Sequence, residues 1–334
     1  MKAFRLEAPE VAGVVDVPEV AAGPGEALLR VRMVGMCGTD LNSFRGRNAM
    51  VTFPRIPGHE VAAEVVSGGG EIAAGTLVTF SPYTSCGQCP SCLRGRVNAC
   101  QFNETMGVQR DGAMTEFISV PREKLYAAKL SAKELCLVEP LTVGFHAAAR
   151  GRVTAEDAVA VFGCGGVGLG AIAASAFRGA ETIAIDMDDA KLEIARKAGA
   201  KHLVHAKNED LHERLQAITG GRGPDVMIEA IGLPQTFRAA VEEVAFTGRV
   251  VYIGYAKEPV AYETRLFVQK ELDILGSRNA LPEDFREVIR MLELGRFPVE
   301  NAVSAMVPLN DAGRMLAEWS AAPAKFTKIM VEVG

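Results

Sequence analysis

The chain has 334 residues, 49% of them apolar and 23% charged, with a formal net charge of −5. That composition suits a globular protein of about two domains. The mild acidity and the single tryptophan, Trp319, exclude a basic nucleic-acid footprint and an aromatic platform for stacking bases. No apolar run approaches the ~18–20 residues of a membrane span. Met1 to Pro9 enter a strand pattern with no basic-then-apolar leader, so a cytoplasmic location is expected. Seven cysteines there stay reduced and need a use other than disulfides.

Residues 1 to about 128 carry short strands of alternating polarity between glycine and proline turns, as in EALLRVRMVGMCG and EVAAEVVSGGG. Two motifs follow β-like stretches: Cys37-Gly-Thr39-Asp40 and, some twenty residues on, Gly58-His59-Glu60. Next comes Cys86-Gly-Gln-Cys89-Pro-Ser-Cys92, with Cys100 after seven further residues. Four thiolates in one loop can enclose a tetrahedral Zn²⁺ with no open position, which makes the site structural, and the metal supplies folding energy to a loop with little apolar content. A redox dithiol and an iron–sulfur cluster are the rival readings; the sequence shows no helix start at the Cys-x-x-Cys, as a redox pair needs. Cys136 and Cys164 stand apart and read as inert buried residues. Glu139 follows in LVEPLTVGFHAAA. Singly, Cys37, His59 and Glu139 have ordinary structural readings. Together, thiolate, imidazole and carboxylate suit a Zn²⁺ with three protein ligands and one open position.

From about Thr154 to Gly276 strands and helices alternate: AVAVFG, VGLGAIAASAFRGA, TIAIDMD, DAKLEIARKAGA, DVMIEAIG, PQTFRAAVEEVAFTG, RVVYIGYA and LDILGS. This alternation predicts right-handed crossovers and a doubly wound parallel sheet of the Rossmann type. Gly163-Cys-Gly165-Gly166-Val167-Gly168 lies between the first strand and its helix. There the glycines permit a tight turn, close approach to a pyrophosphate and close helix–strand packing, with the helix N-terminus facing the phosphates. Asp186 ends the next strand, where a carboxylate receives the ribose hydroxyls and repels a 2′-phosphate, so NAD is expected rather than NADP. Lys191, one turn into the following helix, flanks the same ribose. Ile253, Gly254 and Arg278 are further cofactor-binding assignments. The tail adds the helix PEDFREVIRMLELG and the strand FTKIMVEV.

The order of these motifs resembles the zinc-containing medium-chain dehydrogenase/reductase superfamily over essentially the whole chain, and within it the polyol (sorbitol-type) and threonine dehydrogenase branch. The resemblance implies that Cys37 and His59 are catalytic zinc ligands. Glu139 falls where that branch has a glutamate instead of a second cysteine, and Glu60 matches a residue that can also ligate zinc; which of the two binds directly stays open. It further implies a mostly β, chaperonin-10-like catalytic domain from residues 1–140 and 277–334, an NAD-binding Rossmann domain inserted at 141–276, and an active site in the cleft. Two zinc ions per chain and NAD are the expected cofactors. Assembly as a homodimer or homotetramer is expected through strands such as Leu272 to Leu275.

In such a site zinc acidifies the substrate hydroxyl, and the nicotinamide takes the hydride. Thr39 matches the hydroxyl that receives the alcohol proton. Many relatives carry a histidine five residues after the zinc cysteine; here it is Asn42, which is no base at neutral pH. The proton then leaves through water or by another route, such as Glu60. Arg45, Arg47, Gln109 and Asn279 are the candidate substrate contacts, with Arg278 beside them; arginine forks suit carboxylate or phosphate. The expected substrate is a polyol, sugar acid or sugar phosphate. The alternatives are an L-threonine-type amino-alcohol dehydrogenase, a zinc-free quinone-reductase-like enzyme and, from another class, a non-catalytic NAD- and zinc-binding module.

Overall fold

Strand Glu26–Met36 alternates inward and outward residues at its start and is buried on both faces toward Met36, because it becomes the centre of a sheet. In the computed structural model, which describes residues 1–334, it pairs antiparallel with Glu60–Ser67, Phe117–Pro121 and Ile329–Glu332. Ala305–Pro308, Leu77–Phe80 and Leu125–Ala127 complete this seven-stranded sheet. The pairing matters for function. It brings the segment before Glu60 and the C-terminal strand to either side of the strand that ends at Met36, one residue before Cys37. The core here is apolar, with Phe4, Leu6, Leu29, Phe80 and Met114 all essentially inaccessible. Helix Pro282–Glu293 is fastened to the same unit by Phe285, whose ring stacks on Tyr126 at 4.9 Å and 5°. This unit comprises Met1–Glu139, Leu281–Glu293 and Val299–Gly334.

The second unit, Pro140–Ala280 with Leu294–Pro298, holds a six-stranded sheet in which every pair is parallel. Its order is His202–His205, Glu181–Asp186, Ala158–Phe162, Val226–Glu229, Arg249–Tyr252, Asp273–Gly276. The first strand in sequence, Ala158–Phe162, lies at the middle and is buried along its whole length, as a parallel strand covered by helices on both faces must be. The order reverses between it and Val226–Glu229, and open α/β sheets bind ligands at such a reversal. The division of the chain, between Glu139 and Pro140, falls within helix Ala132–Arg150. This helix opens on a reciprocal capping box, in which Ser131 N–H donates to the Glu134 carboxylate at 2.8 Å and Glu134 N–H donates to Ser131 Oγ at 3.3 Å. No helix is long and apolar enough to cross a membrane.

Candidate functional site

Cys37 sits at the N-cap of the short helix Gly38–Phe44, directly after the central strand. Its backbone N–H donates to Asp40 Oδ2 at 2.8 Å, and the other Asp40 oxygen accepts Gly58 N–H at 3.3 Å. One fully buried carboxylate therefore ties the turn that carries Cys37 to the turn that carries His59. Sequence reading passed over this role, because the tie spans two motifs. His59 stands just before strand Glu60–Ser67, whose first residue, Glu60, lies opposite Gly35. A Cβ on Gly35 would fall 2.1 Å from Glu60 Oε2, so the glycine is what lets this carboxylate turn inward.

The ligand atoms of Cys37, His59 and Glu60 all lie within 4.8 Å of one another. Glu139 lies inside helix Ala132–Arg150, and its carboxylate accepts a hydrogen bond from the buried Tyr83 hydroxyl. Of the two glutamates left open by the sequence, Glu60 is the one gathered with Cys37 and His59. It is also held by a residue the sequence reading missed: Lys328 Nζ reaches both Glu60 oxygens, at 2.6 and 2.7 Å, and donates to Met36 O at 3.2 Å. In the absence of metal, burial acts to lower the His59 pKa, but the neighbouring Cys37, Asp40 and Glu139 raise it well above its ordinary value. Burial likewise opposes the charge on Lys328, yet Glu60 and Cys37 hold its pKa above normal. Burial raises the Glu139 pKa, with His59 acting against the shift. Thr39 Oγ1 lies 3.6 Å from Cys37 Sγ.

The sulfurs of Cys86, Cys89, Cys92 and Cys100 form a second cluster, with Cys86–Cys100 at 3.7 Å and Cys89–Cys100 at 3.8 Å. None is in a disulfide. Here one expectation is corrected: Cys89 does cap a helix, the single turn Pro90–Leu93, whose Pro90 at the first position starts it without needing an N–H partner. The Ser91 hydroxyl and the backbone N–H groups of Cys92 and Gln101 lower the Cys89 thiol to about 5, while burial pushes Cys92 up to about 11. Cys136 and Cys164 are fully buried and outside both clusters; Cys136 Sγ donates to Glu60 O at 3.3 Å.

In the second unit Gly163 has φ +92° and Gly165 caps helix Gly166–Phe177. A Cβ at Gly168 would lie 1.8 Å from Gly163 O, whereas one at Gly165 would meet nothing within 4 Å. The third glycine is thus needed for packing, and the second faces open space from which a phosphate can approach. Val167 lies in the first turn of the helix. Asp186 accepts N–H bonds from Cys164 and Met187 at 2.7 Å and from Asp188 at 3.2 Å, so its charge is fixed beside the glycine turn. Lys191 lies in the first turn of helix Asp189–Lys197, and its N–H donates to the N-cap Asp188 Oδ1 at 3.1 Å. Ile253 and Gly254 follow strand Arg249–Tyr252 and donate their N–H groups to Glu229 O.

A family model described as an alcohol dehydrogenase GroES-like domain matches residues 23–130, and one described as a zinc-binding dehydrogenase matches residues 166–293. The chain is 33% identical over 290 residues to L-galactonate-5-dehydrogenase of Escherichia coli (strain K12), covering 86% of this chain and 85% of that protein. It is 34% identical over 330 residues to the erythritol/L-threitol dehydrogenase of Mycolicibacterium smegmatis, covering 92% and 89%. The solved structure of an alcohol dehydrogenase from Escherichia coli CFT073 complexed with NADH superposes with a TM-score of 0.91 at 25% identity, over 100% of this chain and 99% of that one.

The chain belongs to the zinc-binding alcohol dehydrogenases. Both clusters of this dehydrogenase fit the metal that its family implies. Four ligands at the usual Zn–S length of ~2.3 Å put the edges of a tetrahedron at roughly 3.7–3.8 Å, and the two sulfur separations given above agree with that. At Cys37, His59 and Glu60 the donors are one thiolate, one imidazole and one carboxylate, and the buried His59 Nδ1 has no hydrogen-bond partner. The substrate contacts read from sequence fare differently. Arg45 is corrected: its Nε donates to Ser320 Oγ at 2.9 Å and its terminal nitrogen to Ser320 O, fastening helix Gly38–Phe44 to helix Ala312–Ala321. Arg47 and Asn42 are exposed. Gln109 accepts Thr105 N–H at 2.8 Å and contacts Met50 Sδ at 3.5 Å. Arg278 is exposed, and Asn279 has φ +53°.

Proposed function

We propose that this dehydrogenase transfers a hydride between NAD and a secondary alcohol of a polyol, sugar acid or sugar phosphate, using one zinc held by Cys37, His59 and Glu60 and a second held by the four-cysteine loop. The observation that carries the reading is the convergence of a thiolate, an imidazole and a carboxylate from two separate stretches of backbone, the turn at Cys37 and the adjacent pair His59-Glu60, with the Glu139 carboxyl feeling the charges of His59 and Glu60. The relatives named above act on sugar acids and four-carbon polyols, which supports the substrate class. When bound, zinc supplies a Lewis acid that makes an alcohol acidic near neutral pH, and the nicotinamide supplies the hydride acceptor.

The protein groups orient the substrate and handle the proton. Thr39, beside Cys37 Sγ, accepts the proton of the substrate hydroxyl and passes it on. Asn42 cannot receive it, being an amide, and its exposure makes water the next carrier. Tyr83 orients the Glu139 carboxylate. Lys328 provides the buried counter-charge for Glu60 until the metal does so. Arg45 is engaged with Ser320, which leaves the exposed Arg47 as the candidate for a substrate anion; a neutral polyol needs no such contact. Turnover of polyols, aldonates, polyol phosphates and L-threonine, followed by NADH absorbance, tests the class. Turnover of L-threonine alone would replace it by the amino-alcohol reading.

The fixed charge of Asp186 favours NAD. Asp186→Asn is expected to narrow the ratio of kcat/KM for NAD over NADP by about tenfold, ~1.4 kcal/mol. Any loosening of the glycine turn weakens both dinucleotides, so the ratio reads the charge alone, and an unchanged ratio contradicts this role. A homodimer or homotetramer joined through the exposed edge strand Asp273–Gly276, preceded by Val268 at 85% exposure, completes the proposal.

A further inference from the structure

We infer that Glu229 is the residue that sets the spacing of the dinucleotide seat, acting through backbone and touching no ligand itself; the inference rests on the NAD-binding reading above. Glu229 ends strand Val226–Glu229 and is completely buried. In register it lies between Phe162, one residue before the glycine turn, and Tyr252, one residue before Ile253. It is therefore the charged side chain at the reversal of strand order.

Three donors converge on one of its oxygens: Ile231 N–H at 2.9 Å, Gly232 N–H at 2.8 Å and the Thr236 hydroxyl at 2.7 Å. They fix the carboxylate and, with it, the course of residues 230–232. The other oxygen, Oε2, is buried with no hydrogen-bond partner. Burying a carboxylate oxygen without a partner is costly, so hydrogen bonding does not account for this second oxygen.

What Oε2 does is occupy space. A Cβ on Gly254 would lie 2.4 Å from it and 2.5 Å from Gly232 N. On the same side a Cβ on Gly232 would lie 2.8 Å from Tyr255 O, and on the opposite side one on Gly163 would lie 2.7 Å from Ile231 Cγ1. The 230–232 turn is thus wedged between the glycine turn at 163–168 and the turn at 253–255, in contact with backbone on both sides. The Glu229 backbone carbonyl also takes the N–H groups of Ile253 and Gly254, at 2.9 and 3.2 Å. Shortening the carboxylate withdraws the acceptor from two amides and empties the space beside Gly254, so both turns lose their common spacer.

The test is NADH affinity, read by fluorescence on the zinc-loaded protein, for wild type, Glu229→Gln and Glu229→Asp, with NAD KM and kcat measured alongside. Glutamine keeps the accepting oxygen and the length; aspartate keeps the charge and loses the reach. The expected result is an E229D Kd for NADH raised about tenfold or more, with the loss in KM rather than kcat, and an E229Q value within about threefold of wild type. If E229D fails to fold, Thr236→Ser and Thr236→Val make the same comparison through the third donor, with weaker NADH binding for valine alone. E229D binding like wild type overturns the inference, as does an E229Q loss equal to that of E229D. Wild-type protein that does not bind NADH overturns the NAD reading instead, so the two failures are separable.

Discussion

Replacing His59 by alanine is expected to lower kcat/KM about a thousandfold and to cut zinc from about two ions per chain to about one. Metal polarisation of an alcohol is worth several kcal/mol, and ~4 kcal/mol is about a thousandfold in rate. Gly58 holds φ +98°, a conformation open to few other residues, and Asp40 pins its N–H, so the imidazole is delivered to Cys37 and Glu60 by a backbone that a substitution at His59 leaves in place. The four-cysteine loop shares no residue with this group, so an ion held there is expected to stay. The measurement pairs metal analysis with steady-state kinetics. Full activity in H59A, or loss of both ions at once, contradicts the assignment of separate catalytic and structural sites.

Lys328→Met is expected to destabilise the metal-free protein by ~3–5 kcal/mol, the usual cost of stranding one member of a buried ion pair. The side chains of Lys328 and Glu60 are only 8% and 1% exposed, so water cannot take the place of the lost ammonium. On the proposed assignment, zinc at Cys37, His59 and Glu60 would give the same carboxylate a cation. The zinc-loaded variant should therefore recover most of its stability, and the gain on adding zinc should exceed that of wild type. Urea unfolding in chelator and in zinc checks this. Equal loss in both states means that Lys328 supports the strand rather than balancing the Glu60 charge.

What could be read from the sequence was whatever is local in it. Strand–helix alternation between Thr154 and Gly276 reports a parallel sheet because each crossover is a short stretch of chain. The spacing of Cys86, Cys89, Cys92 and Cys100 reports a tetrahedron because a loop of that length can close on one ion. The residues that were missed are those whose partners lie far along the chain. In FTKIMVEV, Lys328 looks like an ordinary strand lysine; only the pairing of Ile329–Glu332 with Glu26–Met36 brings it to Glu60, 268 positions away. Arg45 was misread for the same reason, since Ser320, its partner, is 275 positions distant. Asp40 was visible within its motif, but not its hold on Gly58. Tyr83 stood three residues before Cys86 with no sign that it would reach Glu139. Cysteine, histidine and glycine patterns announce ligands and turns; the groups that orient and balance those ligands are chosen by tertiary pairing.

Transfer of deuterium from the carbinol carbon of a polyol to NAD, followed by mass spectrometry of the NADH formed, tests the central claim most directly. The zinc-loaded dehydrogenase is given four- to six-carbon polyols and aldonates (about a dozen) deuterated at their secondary carbons. The account predicts one deuterium in the reduced nicotinamide, delivered to a single face, and no transfer by His59→Ala. NADH without deuterium from such a substrate, or equal transfer by His59→Ala, contradicts it.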